Sequence, residues 1–111
     1  MTGRPQRIQL RRTKGWRMPE NTVSVARRPH RSFGNPYTIE GARQAGFTGS
    51  DKDLRQLVVG FFANAMEKGF NNVAFHRANL EELRGKNLAC WCPLDHPCHA
   101  DVLLKLANRK V

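Results

Sequence analysis

Leu88-Ala89-Cys90-Trp91-Cys92-Pro93-Leu94-Asp95-His96-Pro97-Cys98-His99-Ala100-Asp101 is the stretch on which the reading of the fold turns. All three cysteines of the chain lie in it, with two of the four histidines. Lys86 to Cys92 reads as a largely buried strand. Pro93 and Pro97 stiffen the turn that follows, and a helix begins near Pro97 or Cys98 and runs to about Asn108. Leu103, Leu106 and Ala107 form the inner seam of that helix, with Val102 close by. Such a strand, turn and helix is half of a doubly wound unit, in which ligands bind at the carboxyl ends of strands. In an extended segment Cys90 and Cys92 share one face while Trp91 points to the other.

Working outward, Arg7 to Arg12 alternates, with Ile8 and Leu10 on one face, and Thr22 to Arg27 does the same with Val23 and Val25. Both read as strands, arranged like a hairpin although the intervening loop is long for one. Thr38 caps a short helix ended by Gly46. Ser50 with Asp53 opens a long helix that Gly69 ends. Its stripe of Leu54, Leu57, Val58, Phe61, Phe62, Ala65 and Met66 marks it as a core helix. Residues 71–78 fit a short strand or an irregular link, and Asn79 caps a short helix ended by Gly85. The sum is a single α/β domain over residues 1–111, a small sandwich with a mixed, mainly parallel sheet flanked by helices.

Composition bounds the function. The 111 residues are 40% apolar and carry a formal net charge of +10. Residues 1–31 hold nine basic residues against the lone acid Glu20, so the basicity belongs to the N-terminal segment. A concentrated basic face attracts phosphate, in nucleic acid or nucleotides, or an acidic partner. It is also an ordinary way to keep a small protein soluble. No apolar run approaches the roughly 20 residues that span a bilayer. No apolar segment follows the basic N-terminus, so neither a membrane partner nor a secretory signal is expected. Three clustered cysteines argue against a secreted disulfide framework and for a reducing cytoplasm, that of the host if the gene is carried by a phage.

Two segments are candidates for chemistry. In Arg28-Pro29-His30-Arg31-Ser32-Phe33-Gly34-Asn35-Pro36-Tyr37, cationic side chains meet a glycine that permits close approach and a rigid Asn-Pro turn. Arg27, Arg28, Arg31, Gly34, Asn35 and Tyr37 are the candidate ligand-binding residues. Gly34 stands alone, without the glycine spacing of a phosphate loop. In the Cys90–Asp101 turn three readings compete. Cys90, Cys92, Cys98 and His99 are a permitted zinc set, although the neighbours Cys98 and His99 need an irregular backbone to face one ion. Cys98 at a helix start, with His99 and Asp101, suits nucleophilic, redox or acid-base catalysis. Buried cysteines also serve as small apolar packing groups, and Trp91 as core filler.

Leu83 to Cys92, followed by Pro97-Cys98-His99-Ala100-Asp101-Val102-Leu103, resembles the signature of an uncharacterised family of bacteriophage and bacterial proteins (domain of unknown function 4326). Gly34-Asn35-Pro36-Tyr37 and Ile8-Gln9-Leu10-Arg11-Arg12 resemble it too. This chain departs from the family in carrying Arg27-Arg28-Pro29-His30-Arg31 ahead of its Gly-Asn-Pro loop. The resemblance implies a small cytoplasmic protein in which the Gly-Asn-Pro turn and the Cys/His turn belong to one site. Two functional expectations follow. One is a protein that binds a phosphate-bearing ligand in a cleft between the Arg28–Tyr37 loop and the Cys90–Asp101 turn, with Cys/His chemistry; whether it is an enzyme is open. The alternative is a non-enzymatic basic protein that docks on nucleic acid or an acidic host protein, with a structural Cys/His cluster and with Trp16, Phe33 and Tyr37 stacking on bases.

Overall fold

The computed structural model describes residues 5–27 and 33–109. Strand β3, Asn87–Cys90, runs between β1, Arg7–Gln9, and β2, Thr22–Ser24, in the order β1-β3-β2. Both pairings are parallel. Arg7 lies opposite Leu88 on one side of β3, and Val23 opposite Leu88 on the other. Leu88, Ala89 and Cys90 are all buried, as expected of a parallel strand covered on both faces. The ladder continues past the strand ends through Leu10 N–H to Cys90 O and Val25 N–H to Ala89 O, each 2.8 Å.

The mainly parallel α/β expectation holds, and the described sheet is parallel throughout. The hairpin-like pairing of the first two strands is corrected. β1 and β2 flank β3 and do not bond to each other. The physical reason is burial: neither three-residue strand is fully buried, and both find their partner in the strand that buries Leu88, Ala89 and Cys90. At the entry to β3, Asn21 adopts φ 57°, accepts from Asn87 N–H and donates its side-chain amide to Gly85 O at 2.9 Å.

Helix α1 spans Ile39–Gln44, with Thr38 accepting from Gly41 N–H as its cap. Helix α2 spans Asp51–Lys68 and starts in the expected capping box between Ser50 and Asp53. It ends at Gly69, whose φ of 76° is the left-handed turn that glycine adopts without strain. Its stripe of Leu54, Val58, Phe62, Ala65 and Met66 is buried, against α1 at one end and the main core at the other. Residues 71–78 are not a strand. They form a 3₁₀ turn, Asn71–Val73, and a short helix α3, Ala74–Ala78, which sends His76 into the core among Phe33, Phe62 and Phe75. A second 3₁₀ turn covers Leu80–Leu83. Asn79 does not cap it; the side chain turns back to Phe75 O at 2.9 Å.

Helix α4, His99–Ala107, follows β3 after the proline turn, and its His99, Ala100, Leu103 and Ala107 are buried. With Phe62, Leu83, Leu88 and Val25 they form one continuous core, which fixes the carboxyl end of β3 against the start of α4.

Candidate functional site

The strand-to-helix crossing gathers the sulfurs. Cys90 closes β3, and Cys92 follows on the same face with its Sγ 3.9 Å away. Cys98 is the residue before α4 and is extended, with φ −149° and ψ 146°. The three Sγ atoms lie within 4.8 Å of one another, close enough to hold a metal ion. All three cysteines are free thiols.

The change from extended Cys98 to helical His99 is the irregular backbone that lets neighbouring side chains turn to one place. His99 Nδ1 lies 3.7 Å from Cys98 Sγ. Its other nitrogen, Nε2, lies 2.7 Å from the Val25 carbonyl oxygen. An oxygen accepts only, so the proton sits on Nε2 and Nδ1 presents its lone pair to the sulfur. Burial pushes the His99 pKa down, against the opposing pull of Cys90 and the Val25 carbonyl, so the ring is held neutral.

Crowding the thiols splits their acidities. Cys90 is pulled far below the ordinary thiol range, chiefly because Cys92 and then Cys98 donate to its sulfur. Cys98 is pushed up because its proton is held by Cys90 and Cys92 and because it is buried. Cys92 is pushed up chiefly by its bond to Cys90. Cys90 is thus the thiol of the three that ionises most readily. Full ionisation of the set leaves three negative charges together, which favours a cation among them.

The turn is held from β1. Arg7, with a side chain only 7% exposed, pairs with Asp101 at 2.9 Å and donates to Pro93 O at 3.0 Å and to Leu94 O. Asp101 thus faces Arg7 on the outer side of the turn and does not line the cleft beside the thiols. Trp91 lines the same cleft as the cysteines and, at 46% exposed, does not fill the core. The Arg12 guanidinium lies 4.9 Å from the centre of its ring.

The Gly-Asn-Pro loop forms the facing wall. Gly34 is required because a Cβ there would stand 2.6 Å from Arg27 Cα: the close approach is by the chain's own backbone. Its carbonyl lies 2.8 Å from His76 Nε2. Asn35, 6% exposed, accepts from Tyr37 N–H at 2.9 Å and donates to Val58 O at 3.0 Å, tying the loop to α2. Arg27 donates from Nε and Nη2 to Asn35 O, at 3.1 and 2.7 Å, and from Nη2 to Tyr37 O at 3.3 Å. Arg27 is thus a clamp on its own loop. Phe33 packs in the core against Phe75, which removes it from any stacking set. Arg28 and Arg31 lie outside the described residues.

Between the two walls lies a cleft of about 380 Å³. Arg27, Asn35 and Tyr37 line it from the loop, and Cys90, Cys92, Cys98 and His99 from the turn. The structure thus brings both sequence-derived segments to one place, at the carboxyl end of the central strand. The sequence reading passed over two residues. Arg55, on α2, also lines the cleft and donates to His96 Nδ1 at 3.0 Å; the available signal was a cation between Leu54 and Leu57 on the flank of the apolar stripe. His76 supports the loop from behind, and the signal was a histidine between Phe75 and the next basic residue in a segment of no clear period.

Fold and site define a small parallel α/β domain with a thiol-lined cleft at the carboxyl end of its middle strand. The chain belongs to DUF4326, a domain of unknown function, whose family model matches residues 8–109. It is similar to an uncharacterised 12.4 kDa protein of the nrdA-td intergenic region of Enterobacteria phage T4. The two are 29% identical over 69 residues, which cover 62% of this chain and 63% of the phage protein's length. No solved structure matches the chain. Among the described residues, no helix is long and apolar enough to cross a membrane.

Proposed function

We propose that the cleft takes a phosphate-bearing ligand, a nucleotide or the end of a nucleic-acid strand, and that the cysteine cluster supplies the chemistry at its floor. The observation that carries this reading is the convergence of the loop and the thiol turn on one cleft. The thiols take zinc in this reading. Cys90, Cys92 and Cys98 supply sulfur, and His99 Nδ1 is the fourth donor. The bond from His99 Nε2–H to the Val25 carbonyl supports that role, because ligating imidazoles commonly donate their second nitrogen to such an oxygen. A catalytic use of Cys98, His99 and Asp101 has less support: the Cys98 thiol is held protonated and Asp101 is paired with Arg7. Free thiols suit a reducing cytoplasm, that of the host if the gene is phage-borne.

Metal analysis with thiol titration tests the zinc half. One zinc per chain, with thiols that react only after chelation, supports it; zinc-reconstituted protein that retains no metal and reacts freely sinks it. Binding of ADP or a 5′-phosphorylated oligonucleotide at low salt, weakening as salt rises, supports the ligand half. No binding of either at low salt sinks that half.

The exposed Trp91 under Arg12 favours a second reading, a non-enzymatic basic protein that docks on nucleic acid or an acidic host protein. Salt-dependent capture of single-stranded nucleic acid that survives blocking of the thiols, but not Trp91→Ala, would select it.

A further inference from the structure

We infer that Arg55 is the residue that recognises the ligand's anionic group, and that the ligand is a mononucleotide with a single phosphate monoester. The inference rests on the ligand-binding reading of the cleft and names the class of ligand within it. Two guanidiniums line the cleft among the described residues. Arg27 directs Nε and Nη2 at the carbonyls of Asn35 and Tyr37. Arg55 makes one hydrogen bond, to His96 Nδ1. A guanidinium keeps its proton throughout, so Arg55 is the donor and His96 carries its own proton on Nε2. That nitrogen faces Asp95 Oδ1 at 3.8 Å. His96 thus sets the direction of the guanidinium from the thiol turn.

The surroundings call for an anion. Arg55, on α2, shares the lining of the cleft with Ile39, Val58, Val59, Tyr37 and Trp91. A cation among apolar groups is costly unless paired. Among the described residues no carboxylate forms an ion pair with Arg55. A phosphate monoester fits the remaining donors of the guanidinium in a two-point contact. The cleft volume of about 380 Å³ is small for a ligand pocket, and its aromatic walls suit one flat base.

Binding of AMP, adenosine and inorganic phosphate to the full chain tests this by calorimetry. The wild type should prefer AMP to adenosine by about tenfold or more, the worth of one charge-assisted hydrogen bond. Arg55→Gln should abolish that preference and leave adenosine affinity unchanged, and Arg55→Lys should keep part of it. His96→Gln, a positioning change, should weaken AMP less than Arg55→Gln does, again with adenosine unchanged. Unaltered adenosine binding shows that each variant has kept its cleft. Arg55→Gln that binds AMP as the wild type does overturns the inference, and so does a wild type that binds AMP and adenosine alike; the cleft reading survives both. Binding of a 5′-phosphorylated oligonucleotide without AMP overturns it in favour of nucleic acid. A wild type that binds none of these removes the cleft reading itself.

Discussion

On the Gly34–Tyr37 side of the cleft, the side-chain amide and carbonyl of Asn35 all have partners within the chain, and Gly34 lies against Arg27 with no room for a methyl group. On the Cys90–His99 side the sulfurs have mainly one another, at distances where a thiol bond is weak. One wall has used its bonding capacity on itself and the other has kept it. The first is a scaffold whose substitution costs stability. The second keeps sulfur donors close enough together to hold an ion.

Asn35→Ala offers the sharpest break of that contrast. It strips Tyr37 N–H of its partner and removes the loop's tie to Val58 O, which keeps only its bond within α2, a loss of about 3 kcal/mol. For a domain of this size that lowers the melting temperature by on the order of 10 °C or more, read by circular dichroism. Gly34→Ala should follow at about 2 kcal/mol, because backbone rather than a flexible side chain must give way. A wild-type melt for Gly34→Ala would show that the loop is not the rigid wall. On the thiol side, Cys90→Ser in metal-free protein should cost less, about 1 kcal/mol, yet remove the thiolate absorbance near neutral pH. Retention of that absorbance would move the thiolate to another sulfur.

The pH dependence of metal-free protein sharpens the same point. Cys90 ionises more readily folded than unfolded, so the unfolded chain binds more protons below the ordinary thiol range, and stability rises with pH there. Cys98 and Cys92 are shifted the other way, so stability falls again as pH rises past the range where unfolded thiols ionise. His99, held neutral by burial, adds stability above the ordinary imidazole range that is lost as pH falls below it. Chemical denaturation across pH should therefore show a maximum near the ordinary thiol range, flattened on the alkaline side by Cys98→Ala. Trp91→Ala should have the smallest effect, within about 0.5 kcal/mol, because the ring lies largely outside the core.

What the sequence made legible was what is decided locally. Ser50 and Asp53 carry the start of α2 in four residues, Gly69 its end, and the alternation about Cys90 and Cys92 their common face. The order of strands depends on which distant strand is buried most deeply, and no short window holds that information. The partners of Arg27 are equally non-local: it lines the cleft as expected, but its acceptors, the carbonyls of Asn35 and Tyr37, appear only when the loop folds back. Arg55 went unnoticed because a single cation beside an apolar stripe is common, and its partner His96 is 41 positions away.

The arrangement of the sheet also has a consequence for how the chain is made. Arg7 to Gln9 and Thr22 to Ser24 leave the ribosome well before Asn87, yet among the described residues both pair only with Asn87–Cys90. Until that segment emerges, the two strands have no ladder, and Arg7 lacks the turn that it ties down. Long α2, with its own caps, can form meanwhile. Closure of the sheet and gathering of the sulfurs thus both wait on the segment from Asn87 to Cys98, and pairings of such long range form slowly. A nascent chain stalled before Asn87 should hold a helix but no sheet, and one extended through Ala107 should hold both together with the clustered thiols.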